Sequence, residues 1–270
     1  MIRTCRKFLR VFLVAMALFP SYSSGPAAQA SGEALTIAAA SDLSYALQEA
    51  KAAFEKETRW KVRLAFGSSG NFYSQIQNGA PFDLFFSADV DYPKKLEAAG
   101  LVEPGSLYEY AVGRIVLWVP ADSRLEIEKR GLNALLDPGA MKIAIANPEH
   151  APYGRAAVAA LQKAAIYDQI AGKLVLGENI SQAAQFVVSG NAQAGIVALS
   201  LAISPAMRDK GRYFLIPPQD YPPIVQAAVI LKGATNKEAA TAFLDFLKTA
   251  KGLEIMKRYG FQLPEPVARK

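Results

Sequence analysis

The sequence predicts an α/β protein of two lobes, each a mostly parallel sheet flanked by helices. Three observations carry that reading. Short apolar runs of strand length alternate with segments whose apolar residues recur at helical spacing. The alternation runs through residues 35–100 and begins again at 142. Most runs end in Ser, Asp, Asn or Gly just before the next helical segment, where a helix start wants such residues. A strand followed by a helix followed by a strand builds parallel pairing, because the crossover needs a connection of helix length.

The elements follow in order. Residues 35–40 are a buried strand, Ser41-Asp42 offers an N-cap, and Leu43, Leu47, Ala50 and Phe54 mark one face of a helix. Residues 61–66 alternate as a second strand, 67–71 form a turn, and Phe72 and Ile76 lead a short helix to Gly79. A third strand at 83–87 precedes a helix at 92–99, which Gly100 ends. Residues 110–119 read as one longer strand that Arg114 interrupts. The second block has strands at 142–146, 173–176 and 195–198, with helices at 155–165 and 179–189. A strand at 224–231 and helices at 237–249 and 252–259 close the chain, with Phe243, Phe246, Leu247 and Leu253 as core positions. The runs 110–119 and 224–231 are expected to be paired crossing strands between the lobes. That expectation assigns 31–120 plus 223–270 to one lobe and 121–222 to the other.

The first thirty residues read as a leader. Arg3, Arg6, Lys7 and Arg10 precede an apolar run at 11–19, and Ala28-Gln29-Ala30 supplies a small-x-small cleavage site. Nine apolar residues span roughly 14 Å as a helix, about half a bilayer core. Export to the periplasm with cleavage after Ala30 is therefore expected, and residues 1–30 are assigned to the signal peptide. Of the formal charge of +6, four basic residues sit in that leader; the rest of the chain has 26 basic and 24 acidic residues. So balanced a body is a poor nucleic-acid binder. Cys5 also lies in the leader, so the body has no disulfide framework, thiolate zinc site or cysteine nucleophile. A single histidine, His150, excludes a multi-histidine metal cage. No phosphate-loop, dinucleotide-binding or nucleophile-elbow motif occurs.

In open α/β sheets ligands gather at the carboxyl ends of strands. Four loops stand there: 40–42, 67–70, 148–154 and 177–181. Each precedes a helix, whose first amides lack intrahelical partners and attract anions. Two loops come from each lobe, and none contains lysine. Taken singly, Ser41 or Asp42 is an ordinary helix cap, 67–70 an ordinary turn, and His150 a surface residue beside a helix entry.

The same loops carry a resemblance. Ala-Ala-Ala-Ser-Asp (38–42), Phe-Gly-Ser-Ser-Gly (66–70), Ile-Gln-Asn-Gly-Ala-Pro (76–81) and Asp-Leu-Phe-Phe-Ser-Ala-Asp (83–89) occur in order. Asn-Pro-Glu-His-Ala-Pro-Tyr-Gly (147–154), Gly-Glu-Asn-Ile-Ser-Gln-Ala (177–183) and Gly-Ile-Val-Ala (195–198) follow. The ordered set resembles the periplasmic molybdate-binding proteins, soluble receptors of molybdate ABC importers. The resemblance implies the hinged, two-lobe type II periplasmic binding protein fold. It implies a monomer that binds molybdate or tungstate, needs no cofactor, performs no catalysis, and hands its ligand to a membrane permease. It also implies a ligand set: hydroxyl and amide from Ser41 and Ser69, amides from Asp42, Tyr153 and Ile180. Asp42 is then expected to turn its carboxylate outward, and the Tyr153 hydroxyl to be idle. Part of that family places a tyrosine where this chain has Ala198. The alternatives are a receptor for sulfate or phosphate, and an enzyme on the same fold using Asp42 and His150.

Overall fold

The computed structural model describes residues 34–264. The signal peptide expected at 1–30 lies outside the described residues. Strands β1 (Leu35–Ala40), β2 (Val62–Gly67) and β3 (Leu84–Ser87) run parallel in the order β2-β1-β3. The connections are a 3-10 turn at Ser41–Leu43, then α1 (Ser44–Glu57), and α2 (Ser69–Gln77). Helix α3 (Asp91–Ala98) leads to β4 (Tyr108–Gly113), at the far edge of this sheet. β1 is buried on both faces, which is why it reads as an unbroken apolar run.

The chain crosses at Arg114. Strand β5 (Ile115–Pro120) follows at once but belongs to a second sheet. The single strand expected over 110–119 is thus two strands in two sheets, and the crossing at Arg114 comes six residues before the division placed after 120. The second sheet contains β6 (Ile143–Ala146), β7 (Leu174–Gly177), β8 (Ala194–Ala198) and β9 (Gly211–Leu215), ordered β7-β6-β8-β5-β9. β6, β7 and β8 are parallel, while β5 runs antiparallel to β8 and β9. Short helices α4 (Ile127–Arg130) and α6 (Tyr167–Ile170) flank it, with α5 (Pro152–Lys163), α7 (Ile180–Val188) and α8 (Leu199–Ala202) leaving its strand ends. β9 was not anticipated: its alternate residues Tyr213 and Leu215 are exposed at the sheet edge, so no apolar run marks it.

The return is β10 (Ile224–Ile230), antiparallel between β3 and β4 in the first sheet. Its pairing with β4 meets the expectation for the 110–113 half of the crossing strand. Helices α9 (Lys237–Lys248) and α10 (Ala250–Arg258) then pack on the first sheet. Asn236 and Thr249 cap their starts through Ala239 N and Gly252 N. Asp83 ties this return to β1: Oδ2 accepts from Thr36 N at 2.7 Å and Oδ1 from Thr235 N at 2.8 Å. Phe243 fixes α9 through edge-to-face contacts with Phe54, centroids 5.1 Å apart, and Phe86, 6.1 Å apart.

Phe243 is wholly buried at the meeting of α1, α9 and the sheet. Phe243→Ala is expected to cost about 3–5 kcal/mol. Urea unfolding monitored by circular dichroism measures it. A loss below about 1 kcal/mol would show that α9 is not part of the first lobe's core.

Candidate functional site

The carboxyl ends of β1, β2 and β3 point at those of β6, β7 and β8. Each strand end feeds a helix start, so the starts of α2, α5 and α7 converge between the lobes. Ser69 is the first residue of α2 and Ile180 the first of α7. Pro152 opens α5 and has no N–H, so Tyr153 supplies that helix's first amide. These amides have no carbonyl four residues back to bind. Ser41 differs from its expected place: residues 41–43 form a 3-10 turn, and no side chain caps α1.

A small cavity lies where these segments meet. Ala40, Ser41, Asp42, Gly67, Ser68, Ser69 and Ala88 line it from the first lobe; Ala151, Pro152, Tyr153 and Ile180 line it from the second. All five residues expected to bind the ligand are therefore brought together. The cavity is small, with ≈ 10 Å³ open to the centre of a water. Its walls contain two kinds of neutral donor, serine hydroxyls and helix-start amides, and no lysine or arginine. Ser69 is buried, and its Oγ accepts from Ala88 N at 2.9 Å, which leaves its proton to donate.

The lobes are closed on each other around this cavity. Ser41 Oγ donates to Asn179 Oδ1 at 3.0 Å and accepts from Ser181 N at 3.2 Å. Ser181 Oγ donates to the Ser41 carbonyl at 2.9 Å. Across the cavity, Gly70 N donates to the His150 carbonyl at 2.9 Å, and His150 Nδ1 lies 3.0 Å from Ser68 Oγ. His150 thus holds the rim and is not a surface bystander. Gly70 permits this approach: a Cβ there would stand 2.7 Å from the His150 carbonyl oxygen. Asn71 bonds Glu178, and Arg155 pairs with Asp89 at the outer edge. The Ser41–Asn179–Ser181 contact walls the cavity off from a larger cleft of ≈ 540 Å³. That cleft runs along α1 and α7 from their first turns and is bounded at its far side by Leu201, Met207 and Lys210.

Asp42 corrects the expectation most. Its carboxylate does not turn outward; the residue is 1% exposed. Oδ2 accepts from the Tyr153 hydroxyl at 2.9 Å and from Gln226 Nε2 at 2.7 Å. The Tyr153 hydroxyl is accordingly not idle. Gln226 Nε2 also donates to the Tyr153 oxygen at 2.9 Å, and Gln226 Oε1 accepts from the Tyr110 hydroxyl at 2.8 Å. The Asp42 carbonyl accepts from Ser200 Oγ at 2.7 Å. Sequence reading missed Gln226 and Ser200; the one signal available was a polar residue inside an otherwise apolar strand, at 226. Ala198, at the end of β8, is wholly buried and brings no hydroxyl to the cavity.

Burial pushes the Asp42 carboxyl up to about 6, although Gln226, Tyr153 and nearby amides pull the other way. Burial, with the Asp42 charge beside it, also holds the Tyr153 hydroxyl well above the usual tyrosine range. The consequence for stability has a definite sign. With a folded value near 6 and an ordinary value of 3.8, the neutral carboxyl's contribution is complete below pH 4 and lost as pH rises through 6. The ionised group then costs on the order of 3 kcal/mol. Asp42→Asn is expected to gain that order of stability relative to the parent between pH 4 and pH 8. Urea melts across that range, with the lobes held closed by saturating anion, measure it; a gap independent of pH would mean that the carboxyl titrates normally.

The chain is similar to known proteins in sequence and in fold. The molybdate-binding protein ModA of Rhodobacter capsulatus is 43% identical, matched over 86% of this chain and 89% of its own length. ModA of Azotobacter vinelandii is 42% identical, over 84% of this chain and 89% of its own length. The solved periplasmic molybdate-binding protein of Azotobacter vinelandii superposes with a TM-score of 0.81 at 36% identity, covering 86% of this chain and 100% of that one. The sequence pattern described as bacterial extracellular solute-binding protein matches residues 35–262. A match of that span, joined to a cavity enclosed between two lobes, makes the chain a member of the bacterial extracellular solute-binding protein family.

Proposed function

We propose that the chain is a periplasmic receptor that binds molybdate, and tungstate with it, and delivers the anion to the membrane permease of an ABC importer. The observation that carries this is the small cavity between the lobes, walled by serine hydroxyls and the first amides of α2, α5 and α7. Two relatives at 42–43% identity whose names specify molybdate support the choice of anion. Ser69 gives hydroxyl and amide, and Asp42, Tyr153 and Ile180 give amides. Ser41 gives its amide, and its hydroxyl, whose proton lies on Asn179 Oδ1, reaches the anion by turning away from Asn179. Neutral donors replace the water of a dianion, and the helix dipoles supply the positive end. A tetrahedral dianion presents acceptors on every side, and the cavity is lined from both lobes by donors of these two kinds. The protein acts by binding alone, as a monomer without cofactor, after export and cleavage behind Ala30.

One observation favours a second reading. Asp42 lines the cavity, and its Oδ1 is buried without a hydrogen-bond partner. Such an oxygen accepts a proton from an oxyanion that still carries one, as phosphate does near neutrality. Calorimetric titration of the mature protein with molybdate, tungstate, sulfate and phosphate separates the two. Molybdate and tungstate are expected to bind, and phosphate not to. Tight phosphate binding that Asp42→Asn abolishes would establish the second reading instead.

Two further outcomes are expected. At a hundredfold excess over Kd, a single-site anion adds about 2.7 kcal/mol. At roughly 2–4 °C per kcal/mol this raises the melting temperature by about 5–11 °C; no shift with molybdate or tungstate would defeat the proposal. Ser69→Ala removes one donor to a buried dianion and is expected to weaken binding about ten- to a hundredfold in the same titration. An unchanged Kd would remove Ser69 from the site.

A further inference from the structure

Asp42 is gripped from the second lobe at two points. The Tyr153 hydroxyl donates to its carboxylate at 2.9 Å, and the Ser200 hydroxyl donates to its carbonyl at 2.7 Å. Asp42, Tyr153 and Ser200 are all buried. On the first-lobe side, Gln226 of β10 holds the same Oδ2 and is itself oriented by Tyr110 of β4. Both strands lead to the crossing between the lobes.

The proton arithmetic says what these hydroxyls do. A hydroxyl has one proton to donate. The Tyr153 oxygen accepts from Gln226, so its proton goes to Asp42. The Ser200 proton goes to the Asp42 carbonyl. Neither hydroxyl has a proton left for an oxyanion. We infer that the Tyr153 and Ser200 hydroxyls are positioning groups that clamp the second lobe onto Asp42 and slow release of the anion without touching it. The inference rests on the receptor reading above.

A bond between lobes is made only when they are closed. It therefore adds to the closed population, and apparent affinity scales with the competent fraction. The rim pair Arg155–Asp89 also crosses, but its arginine is exposed and such pairs contribute little. The clamp is dry and, at the carboxylate, charge-assisted, which makes it the stronger hold.

The test uses the mature protein with molybdate and tungstate as probes. Tyr153→Phe and Ser200→Ala are compared with the parent, and Ser200→Thr serves as the conservative variant. Kd comes from calorimetry, koff from stopped-flow displacement, and Tm from melts in oxyanion-free buffer. For each deletion Kd is expected to weaken about tenfold, carried by koff. Tm without anion should move by no more than about 2 °C, and Ser200→Thr should restore slow release. An unchanged koff in a variant, with the parent binding normally, overturns the clamp alone. So does a koff change matched by an equal loss of Tm without anion, because that marks a structural role. If Tyr153→Phe does not fold, Ser200→Ala against Ser200→Thr decides. If the parent binds neither probe, the receptor reading fails and the clamp falls with it.

Discussion

The structure depends on one topological constraint: two mixed sheets face each other by the carboxyl ends of their parallel strands. The chain passes from β4 to β5 at Arg114 and returns into β10 at Ile224. Because a helix follows each of these parallel strands, the helix starts at their carboxyl ends face the other lobe. The amides of Ser69, Tyr153 and Ile180 meet for that reason, not through local sequence. A small cavity lined by helix starts is the consequence of the fold, and Ser69 adds to it a buried hydroxyl with a proton to donate.

Electrostatics explains the choice of side chains around it. On the proposed reading, a site that releases its anion to a permease gains little from a fixed cation at contact distance. Dipoles and hydroxyls bind a dianion reversibly and do not need a countercharge to be desolvated with it. Asp42 is the apparent contradiction, a carboxylate on the wall of an anion site. Its Oδ2 is turned to Tyr153 and Gln226, and burial keeps its affinity for a proton high. The group thus serves the contact between lobes. Its cost when ionised is the reason to expect that it has that work.

Much of this was legible in the sequence, and the limits are physical. Strands buried on both faces, such as β1 and β6, announce themselves as apolar runs. The serine, proline and asparagine at helix starts are local signals, so the loops holding Ser41, Ser69, Tyr153 and Ile180 could be found from residues alone. The break at Arg114 was hidden because one residue separates two strands of similar composition. The partners of Asp42 were hidden by distance: Gln226 lies 184 positions away and Ser200 lies 158. No local pattern tells which way a buried carboxylate turns when its partners come from the other end of the chain. Likewise His150 reads as a loop residue until Gly70 and Ser68 are brought against it.

The central claim is that one oxyanion sits among the helix starts of both lobes. Its most direct test is a crystal structure of the protein grown with tungstate, with the metal located by anomalous scattering. The expected result is one strong peak enclosed by Ser41, Ser69, Tyr153 and Ile180, with the Tyr153 and Ser200 hydroxyls still on Asp42. A peak in the larger cleft beside Lys210, or none between the lobes, would contradict it.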